Sequence, residues 1–173
     1  MDLREITEFL KDMFKYILTA AIVIFILVYV ARFHQVVGPS MQPNLDSGDI
    51  VIISRVHTRF GGIRRNDVVS IIHGDRHMIK RVIGLPGEHI EFRSNYLIIN
   101  NQPFEETYIF TNTENFSIND WGYDIIPDNM FLLLGDNRED SLDSRNFGLV
   151  NESDIVGRAI LRIWPINRIR IIR

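Results

Sequence analysis

The sequence contains no cysteine, and this absence removes several classes of chemistry at once. A disulfide framework, a thiolate nucleophile and a cysteine-ligated zinc site are all excluded. An excess of positive charge is also lacking, since 19 Lys and Arg residues oppose 22 Asp and Glu residues and leave a formal net charge of −3. The chain therefore has no overall positive charge that would attract nucleic acid. Internal repeats are absent too, and the length of 173 residues predicts one modest domain, alone or behind a short anchor.

A long apolar run near the N-terminus is the strongest compositional feature. Residues 16–31 carry no charge. Extension of the run to 13–33 adds two charged residues, Lys15 and Arg32, whose long side chains can reach lipid headgroups. About 20 residues match a hydrocarbon core of about 30 Å. The run predicts a transmembrane anchor at 13–33, with a cleavable signal peptide and a buried soluble helix as alternatives.

The charges around this run predict its orientation. Arg4, Lys11 and Lys15 precede it, whereas Arg32 is the only Lys or Arg within the next 20 residues. The positive-inside rule then places segment 1–12 in the cytoplasm and a domain at 34–173 outside it. The expected location is the cell membrane, crossed once.

After the run, the chain changes to short segments rich in β-branched residues, separated by Gly, Pro, Asn and Asp. This pattern predicts a mainly β fold, in which a single N-terminal transmembrane helix precedes an antiparallel β-sheet domain. Single helical turns are expected within 139–145 and 152–155. Strands are expected at 49–55, 67–72, 77–83, 89–92, 96–100, 130–134 and 155–164.

Two segments contain residues that suit a serine nucleophile and its base. Ser40 lies between Pro39 and Pro43, whose fixed φ angles favour a rigid loop. On a strand, Lys80 shares one face with apolar neighbours, and burial there lowers a lysine pKa, as a general base requires. Taken alone, Ser40 also fits an ordinary turn serine and Lys80 a surface lysine of an edge strand.

A third segment, 135–145, is dense in polar residues and directly follows an apolar strand. Asp143 and Arg145 are spaced for a local ion pair, and Ser141 can hydrogen-bond to a buried group. By itself the segment also fits a solvated loop.

Taken together and in this order, these segments resemble the type I signal peptidases, which are serine proteases with a Ser-Lys dyad. The similarity covers nearly the whole chain. The matching stretches are Gly38-Pro-Ser-Met-Gln-Pro, Ser47-Gly-Asp-Ile-Val, Ile79-Lys-Arg-Val-Ile-Gly-Leu-Pro-Gly-Glu88, Gly135-Asp-Asn-Arg and Ser141-Leu-Asp-Ser-Arg145.

The resemblance implies a role for each matched residue. Ser40 is expected to attack the scissile carbonyl and Lys80 to accept its proton, with neither a cofactor nor a metal. Ser141 is expected to orient the lysine, and Asp143 and Arg145 to form a structural ion pair. The implied partners are the bilayer and the signal peptides of preproteins, with small residues at the first and third positions before the cut. Shallow pockets for these small residues are expected from Val36, Met41, Leu45 and Ile79.

Position 38 distinguishes this chain from part of the family. Some members carry there a serine whose hydroxyl assists the oxyanion hole, whereas this chain has Gly38, as in the Gram-positive branch. The backbone N–H of Ser40 is then expected to be the main donor, because Pro39 has none.

Other interpretations use different features of the sequence. A Ser40–His77–Asp143 triad agrees with the spacing, and His34, His57, His73 and His89 are further candidates. The His73 and His77 pair is expected at a hairpin turn rather than in a zinc site.

A membrane-tethered β domain without activity is the alternative from another class, and segment 168–173 suits either headgroup contact or an edge strand. A mitochondrial inner-membrane peptidase shares the dyad. Self-cleaving repressor-like proteases share it as well, but they carry a DNA-binding domain that this sequence lacks.

Overall fold

The computed structural model describes residues 3–29, 31–56, 62–109 and 111–172, except for the side chains of residues 3, 25–29 and 31. The chain forms two compact units, Met1–Arg32 and Phe33–Arg173. Helix α1 spans Leu3–Tyr29 within the first unit. Its first half is charged, and the ion pairs Lys11–Glu8 at 2.9 Å and Lys15–Asp12 at 3.2 Å lie along its exposed surface.

The predicted transmembrane anchor at 13–33 is not confirmed by this helix. Within the described parts of the chain, none of the helices combines the length and the apolar character needed to cross a membrane. Residues 31–33 of the predicted anchor belong to a strand, so the helix ends earlier than expected. Residue 30 and the side chains of 25–29, which supply much of the apolar run, lie outside the described residues.

The second unit is built from short strands, as the sequence predicts. Each of the seven predicted strands is found within one residue of its expected ends. Four further strands were not expected, because one overlaps the end of the apolar run and the other three, of two or three residues, are too short to show a period. A fifth further strand falls in segment 168–173, for which an edge strand is one of the two predictions. The strands are β1 Ala31–Gln35, β2 Ile50–Ser54, β3 Val68–His73, β4 Arg76–Gly84, β5 Ile90–Arg93, β6 Tyr96–Ile99, β7 Gln102–Phe104, β8 Phe116–Ser117, β9 Met130–Leu134, β10 Val150–Asn151, β11 Ile155–Trp164 and β12 Arg170–Ile171.

Helical turns occupy the loops around the later strands. A short helix, α2, spans Ser144–Phe147, and single 3-10 turns lie at Ile118–Trp121, Arg138–Asp140, Glu152–Asp154 and Ile166–Arg168. Three of these five fall in or beside the regions where the sequence predicts helical turns.

Two sheets organise the strands. The larger has the order β1-β2-β11-β3-β4-β9-β10, with β12 paired to β11, and the smaller has the order β7-β6-β5-β8. The pairings with described register are antiparallel, which confirms the mainly β, antiparallel part of the predicted fold. Segment 168–173 contributes β12, so part of it is a strand at the sheet, and its last residue lies outside the described residues.

One cluster of the core lies beneath the loop between β1 and β2. It joins Val36, Met41 and Leu45 of that loop to Ile79 of β4 and to residues of β2, β3 and β11. Because Met41 and Leu45 are almost completely buried, this apolar contact fixes the loop onto the sheet. Ser40, which directly precedes Met41, is thereby held at a defined position.

Candidate active site

The nucleophile loop, which we define as residues 36–49, is closed at its base by backbone hydrogen bonds. The Val36 amide donates to the Asp49 carbonyl at 2.8 Å, and the Gly48 amide donates to the Val36 carbonyl at 2.9 Å. Within the loop, Gly38 has a φ of 84°, which favours glycine. Its amide donates to Ser47 Oγ at 3.2 Å. The loop conformation is therefore set by local bonds as well as by its buried side chains.

Ser40 and Lys80 are in direct contact although 40 residues separate them in the sequence. Lys80 lies on β4 opposite Val69 of β3, and only 3% of its surface is exposed. Its Nζ donates a hydrogen bond to Ser40 Oγ at 2.8 Å. The Ser40 carbonyl accepts a hydrogen bond from the Asn137 amide at 3.0 Å. Fold and loop thus bring a hydroxyl and an amine to reacting distance.

The surroundings of Lys80 make its neutral form more accessible than it is for a lysine in water. Burial is the largest cause and lowers its pKa from 10.5 to about 8. The Asp143 carboxylate opposes this effect, the Arg145 cation reinforces it, and the Asp136 carboxylate opposes it more weakly. A neutral Nζ has a lone pair that can accept the Ser40 hydroxyl proton, so the pair can generate an alkoxide nucleophile.

Ser141 lies beside the dyad but does not make the hydrogen bond predicted for it. Its Oγ is buried and has no hydrogen-bond partner of normal geometry among the described residues, Lys80 included. A weaker interaction with the Asp143 carboxylate is the smallest of the causes that lower the pKa of Asp143. Ser141 is close to the site nonetheless, because a Cβ added at Gly135 would lie 2.2 Å from Ser141 Oγ and 2.5 Å from the Ser40 carbonyl oxygen.

Asp143 and Arg145 form the ion pair expected from their spacing. Arg145 Nε donates to Asp143 Oδ1 at 2.9 Å, and its second guanidinium nitrogen donates to Oδ2 at 2.9 Å. Burial acts to raise the pKa of Asp143, but the hydrogen bonds and charge of Arg145, with the Gly135 amide, outweigh it and leave this pKa below its ordinary value. Asp143 also caps α2. The pair therefore holds the segment after β9 next to Lys80.

A second buried ion pair beside the dyad was not expected from the sequence. Two guanidinium nitrogens of Arg81 donate to the two carboxylate oxygens of Asp136, each at 2.7 Å. Asn44 of the nucleophile loop donates to the same carboxylate at 2.9 Å. Both charged residues lie in stretches that resemble the family. Strand alternation places Arg81 on the face opposite to Lys80, but it does not predict which residue Arg81 pairs with.

Arg138 was also missed, and it connects the segment between β7 and β8 to the site. Its Nε donates to the Gly135 carbonyl at 3.0 Å, and a guanidinium nitrogen donates to Thr113 Oγ1 at 2.7 Å. A third interaction pairs it with Glu106 at 2.5 Å. The adjacent Asn137 is the residue whose amide holds the Ser40 carbonyl. These contacts need residues from distant parts of the chain, so no local pattern predicts them.

A cleft of about 540 Å³ opens beside the dyad. Ser40 and Lys80 line it, and so do three of the four residues predicted to bind substrate: Val36, Met41 and Ile79. Leu45 is not among the lining residues but packs with the other three in one apolar cluster. The wall around Ser40 is therefore apolar and closely packed. Further lining comes from His34, Gln35, Val37, Pro39, Arg76, His77, Met78, Asp140 and Leu142.

The histidines take positions that disagree with a catalytic triad. His73 and His77 flank the β3–β4 hairpin, as predicted, and the ring of His73 stacks on Phe147 at 4.4 Å. His77 packs edge-on against His34 at 5.4 Å. The Asp143 carboxylate binds Arg145 rather than an imidazole.

The two remaining histidines are His57 and His89. His57 lies outside the described residues, and His89 Nδ1 lies 2.7 Å from the Asp124 carbonyl. Across residues 3–29, 31–56, 62–109 and 111–172, no three His, Asp or Glu side chains form a group that could hold a metal ion.

Comparison with known proteins gives consistent matches. The sequence profile of a family described as "Signal peptidase, peptidase S26" matches residues 7–164. The chain is 35% identical over 163 residues to a protein named signal peptidase I from Leptolyngbya laminosa, covering 88% of this chain and 78% of the relative. It is 32% identical over 180 aligned positions to signal peptidase IB from Staphylococcus aureus strain Mu50, covering 92% and 94% of the two chains.

A solved structure agrees with these matches. The crystal structure of a signal peptidase I from Enterococcus faecalis V583 superposes with a TM-score of 0.51 at 32% sequence identity. The superposition covers 56% of this chain and 95% of that one.

Proposed function

The chain belongs to the signal peptidase family S26, whose type I members are serine endopeptidases that remove signal peptides, and we propose that it performs this cleavage at a membrane with Ser40 as nucleophile and Lys80 as general base. The observation that carries the proposal is the 2.8 Å contact between Lys80 Nζ and Ser40 Oγ in a buried setting. A binding module has no need for an amine of lowered pKa against a serine hydroxyl.

Acylation begins with neutral Lys80. As Ser40 Oγ attacks the scissile carbonyl carbon, its proton passes to Lys80 Nζ and the carbonyl oxygen becomes an oxyanion. Collapse of this tetrahedral intermediate breaks the C–N bond, and the Lys80 ammonium donates the proton to the leaving amine. The signal peptide is then esterified to Ser40, and a water activated by the neutral lysine hydrolyses the ester.

The oxyanion is stabilised by the backbone amide of Ser40. This amide donates no hydrogen bond to another of the described residues, whereas the Gly38 amide is engaged by Ser47 Oγ. Pro39 has no N–H to contribute. The Asn137 side-chain amide donates to the Pro39 carbonyl at 3.4 Å. Because this carbonyl shares a peptide group with the Ser40 N–H, the contact supports the orientation of the donor.

Substrate selection follows from the apolar wall of the cleft. Met41 is fully buried, and Val36 and Ile79 are nearly so, so the pockets beside Ser40 have little room to expand. A large side chain at the first or third residue before the cut would clash with this packed wall, whereas a small one is accepted. Leu45 supports the wall from behind.

The proposed location is a membrane, with an anchor within residues 13–33. Residues 16–31 carry no charge, and Arg4, Lys11 and Lys15 precede them. We expect these cations to keep the N-terminus in the cytoplasm and the β domain on the other side. Ser40 follows the apolar run by only a few residues, so a bond just outside the bilayer is within its reach.

The test uses the purified full chain and a labelled preprotein. Lys80→Ala and Ser40→Ala are each expected to abolish cleavage while the circular dichroism spectrum of the β domain stays unchanged. Lys11→Ala, which removes an exposed lysine outside the β domain, is the matched control and is expected to cleave normally. Retained cleavage by Lys80→Ala would exclude the dyad.

A further inference from the structure

The outer end of the cleft carries a cation that the chemistry proposed above does not use. Arg76, His77 and Lys80 all lie on β4 and line the cleft, with Arg76 four residues before Lys80. At about 3.3 Å per strand residue, Arg76 is about 13 Å from Lys80 along β4. This end of the cleft differs from the apolar wall beside Ser40, because its lining is cationic and aromatic.

Arg76 is exposed and forms no ion pair with another described residue. Asp75 precedes it in the hairpin turn but does not line the cleft. The neighbouring imidazoles contact other groups, since His34 Nδ1 lies 3.1 Å from Ser70 Oγ and His77 packs edge-on against His34. Arg76 therefore lines the cleft without an ion-pair partner among the described residues, and its guanidinium donors are available for an anionic group.

Among the described residues that line the cleft, Asp140 carries the carboxylate, and it does not belong to β4. Asp140 lines the cleft and directly precedes Ser141, which packs at Gly135 beside the Ser40 carbonyl. Arg76 instead lies on β4 about 13 Å from Lys80, and its positive charge would attract a substrate carboxylate that reaches this end of the cleft.

We propose that Arg76 is a specificity-determining residue that favours an Asp or Glu side chain at the fifth residue before the cut. The inference rests on the proposed function. Moving from Lys80 toward Arg76, the cleft passes Ile79, which the resemblance associates with the pockets for the first and third residues. In an extended peptide, the first, third and fifth residues face the same side, and the first and fifth lie about 13 Å apart. That span equals the distance along β4 from Lys80 to Arg76.

The expected preference is modest because the pair is exposed. Such pairs contribute about 0.2–1 kcal/mol in other proteins, which corresponds to about a 1.5- to 5-fold change in kcat/KM. We therefore expect a peptide with Asp at the fifth position to be cleaved about threefold more efficiently than one with Gln, and a Lys peptide less efficiently than Gln. Added salt at about 0.5 M should reduce these ratios, because it screens exposed charges.

The experiment measures kcat/KM for three peptides that share one signal-peptide sequence and differ only by Asp, Gln or Lys at the fifth residue. The enzymes are the wild type, Arg76→Gln, Arg76→Glu and Arg93→Gln. Arg93 is an exposed arginine on β5, paired with Glu91, and does not line the cleft, so it is the matched control for loss of one positive charge. Ratios between peptides are taken within each enzyme, so a change in overall activity cancels.

The inference expects a preference for Asp in the wild type and in Arg93→Gln, its loss in Arg76→Gln, and a preference for Lys in Arg76→Glu. It is overturned if the wild type does not distinguish the three peptides, or if the ratios in the Arg76 variants equal those of the wild type. Failure of every enzyme to cleave the Gln peptide would instead refute the proposed function, so the two failures are distinguishable.

Discussion

The dependence of activity on pH tests the central chemical requirement, a neutral Lys80. Burial lowers its pKa to about 8, against 10.5 for the ordinary side chain. The fraction of neutral lysine at pH 7 is then about 0.1, whereas a lysine with its ordinary pKa would have about 0.0003. Burial on β4 thus increases the population of active base at pH 7 by about 300-fold.

The expected profile separates three possible bases. Because only the deprotonated lysine can accept the Ser40 proton, activity increases as the pH rises through the pKa of Lys80. Between pH 7 and pH 9, a base of pKa 8 predicts about a tenfold increase in kcat/KM. A lysine with its ordinary pKa predicts about a hundredfold increase, and a histidine near its ordinary pKa predicts less than about 1.5-fold.

The assay measures kcat/KM for a signal-peptide substrate without ionisable groups near the cut, at half-unit steps from pH 6 to about pH 9.5. This parameter reports the pKa of the free enzyme. Circular dichroism at each pH shows that the fold persists across the range. A flat profile above pH 7 would refute the assignment of Lys80, and a hundredfold increase would refute the effect of burial on its pKa.

Two further predictions concern stability and packing at the site. Lys80→Met should be more stable than the wild type at pH 7 by up to about 3 kcal/mol, because the wild type binds a proton less readily when folded than when unfolded. The difference in the free energy of unfolding between Lys80→Met and the wild type should narrow as the pH rises from about 8 toward 10.5. Equal denaturation midpoints of the two proteins at pH 7 would contradict this prediction. Gly135→Ala should reduce kcat about 100-fold or more, since its Cβ would lie 2.5 Å from the Ser40 carbonyl oxygen. The control is Gly84→Ala, whose Cβ would lie 2.4 Å from Ile126 Cδ1. This control variant should lose stability but keep its kcat per folded molecule. Equal losses of kcat in the two variants would count against a role of Gly135 at the site.

Much of the fold could be predicted from local patterns. Strands β2 to β6, β9 and β11 are each at least four residues long and bounded by turn residues, so their period is visible in the sequence. The two-residue strands β8 and β10 have no period to detect, and they exist because a longer neighbour offers them unpaired backbone groups. Strand β12, equally short, was indicated only as one of two alternatives for segment 168–173. Strand β1 was obscured because it overlaps the end of the apolar run.

The candidate site, like the fold, could be predicted only in part from the sequence. Ser40 and Lys80 were identified from their segments, and the ion pair of Asp143 and Arg145 from a spacing of two residues. The absent hydrogen bond from Ser141 to Lys80 could not be foreseen, because it depends on how the segment after β9 packs at Gly135. Residues that act through long-range contacts were missed for the same reason.

The sequence by itself determined which chemistry is available: no thiol, three lysines of which one follows the apolar run, and a serine in a loop between prolines. Only the tertiary structure decided that this lysine and this serine meet. Their 2.8 Å contact requires β4 to lie in the sheet beneath the nucleophile loop, with Met41 and Leu45 buried to hold that loop in place. The same structure lowers the pKa of Lys80, because removal from water depends on the packing of the whole domain rather than on neighbouring residues in the chain.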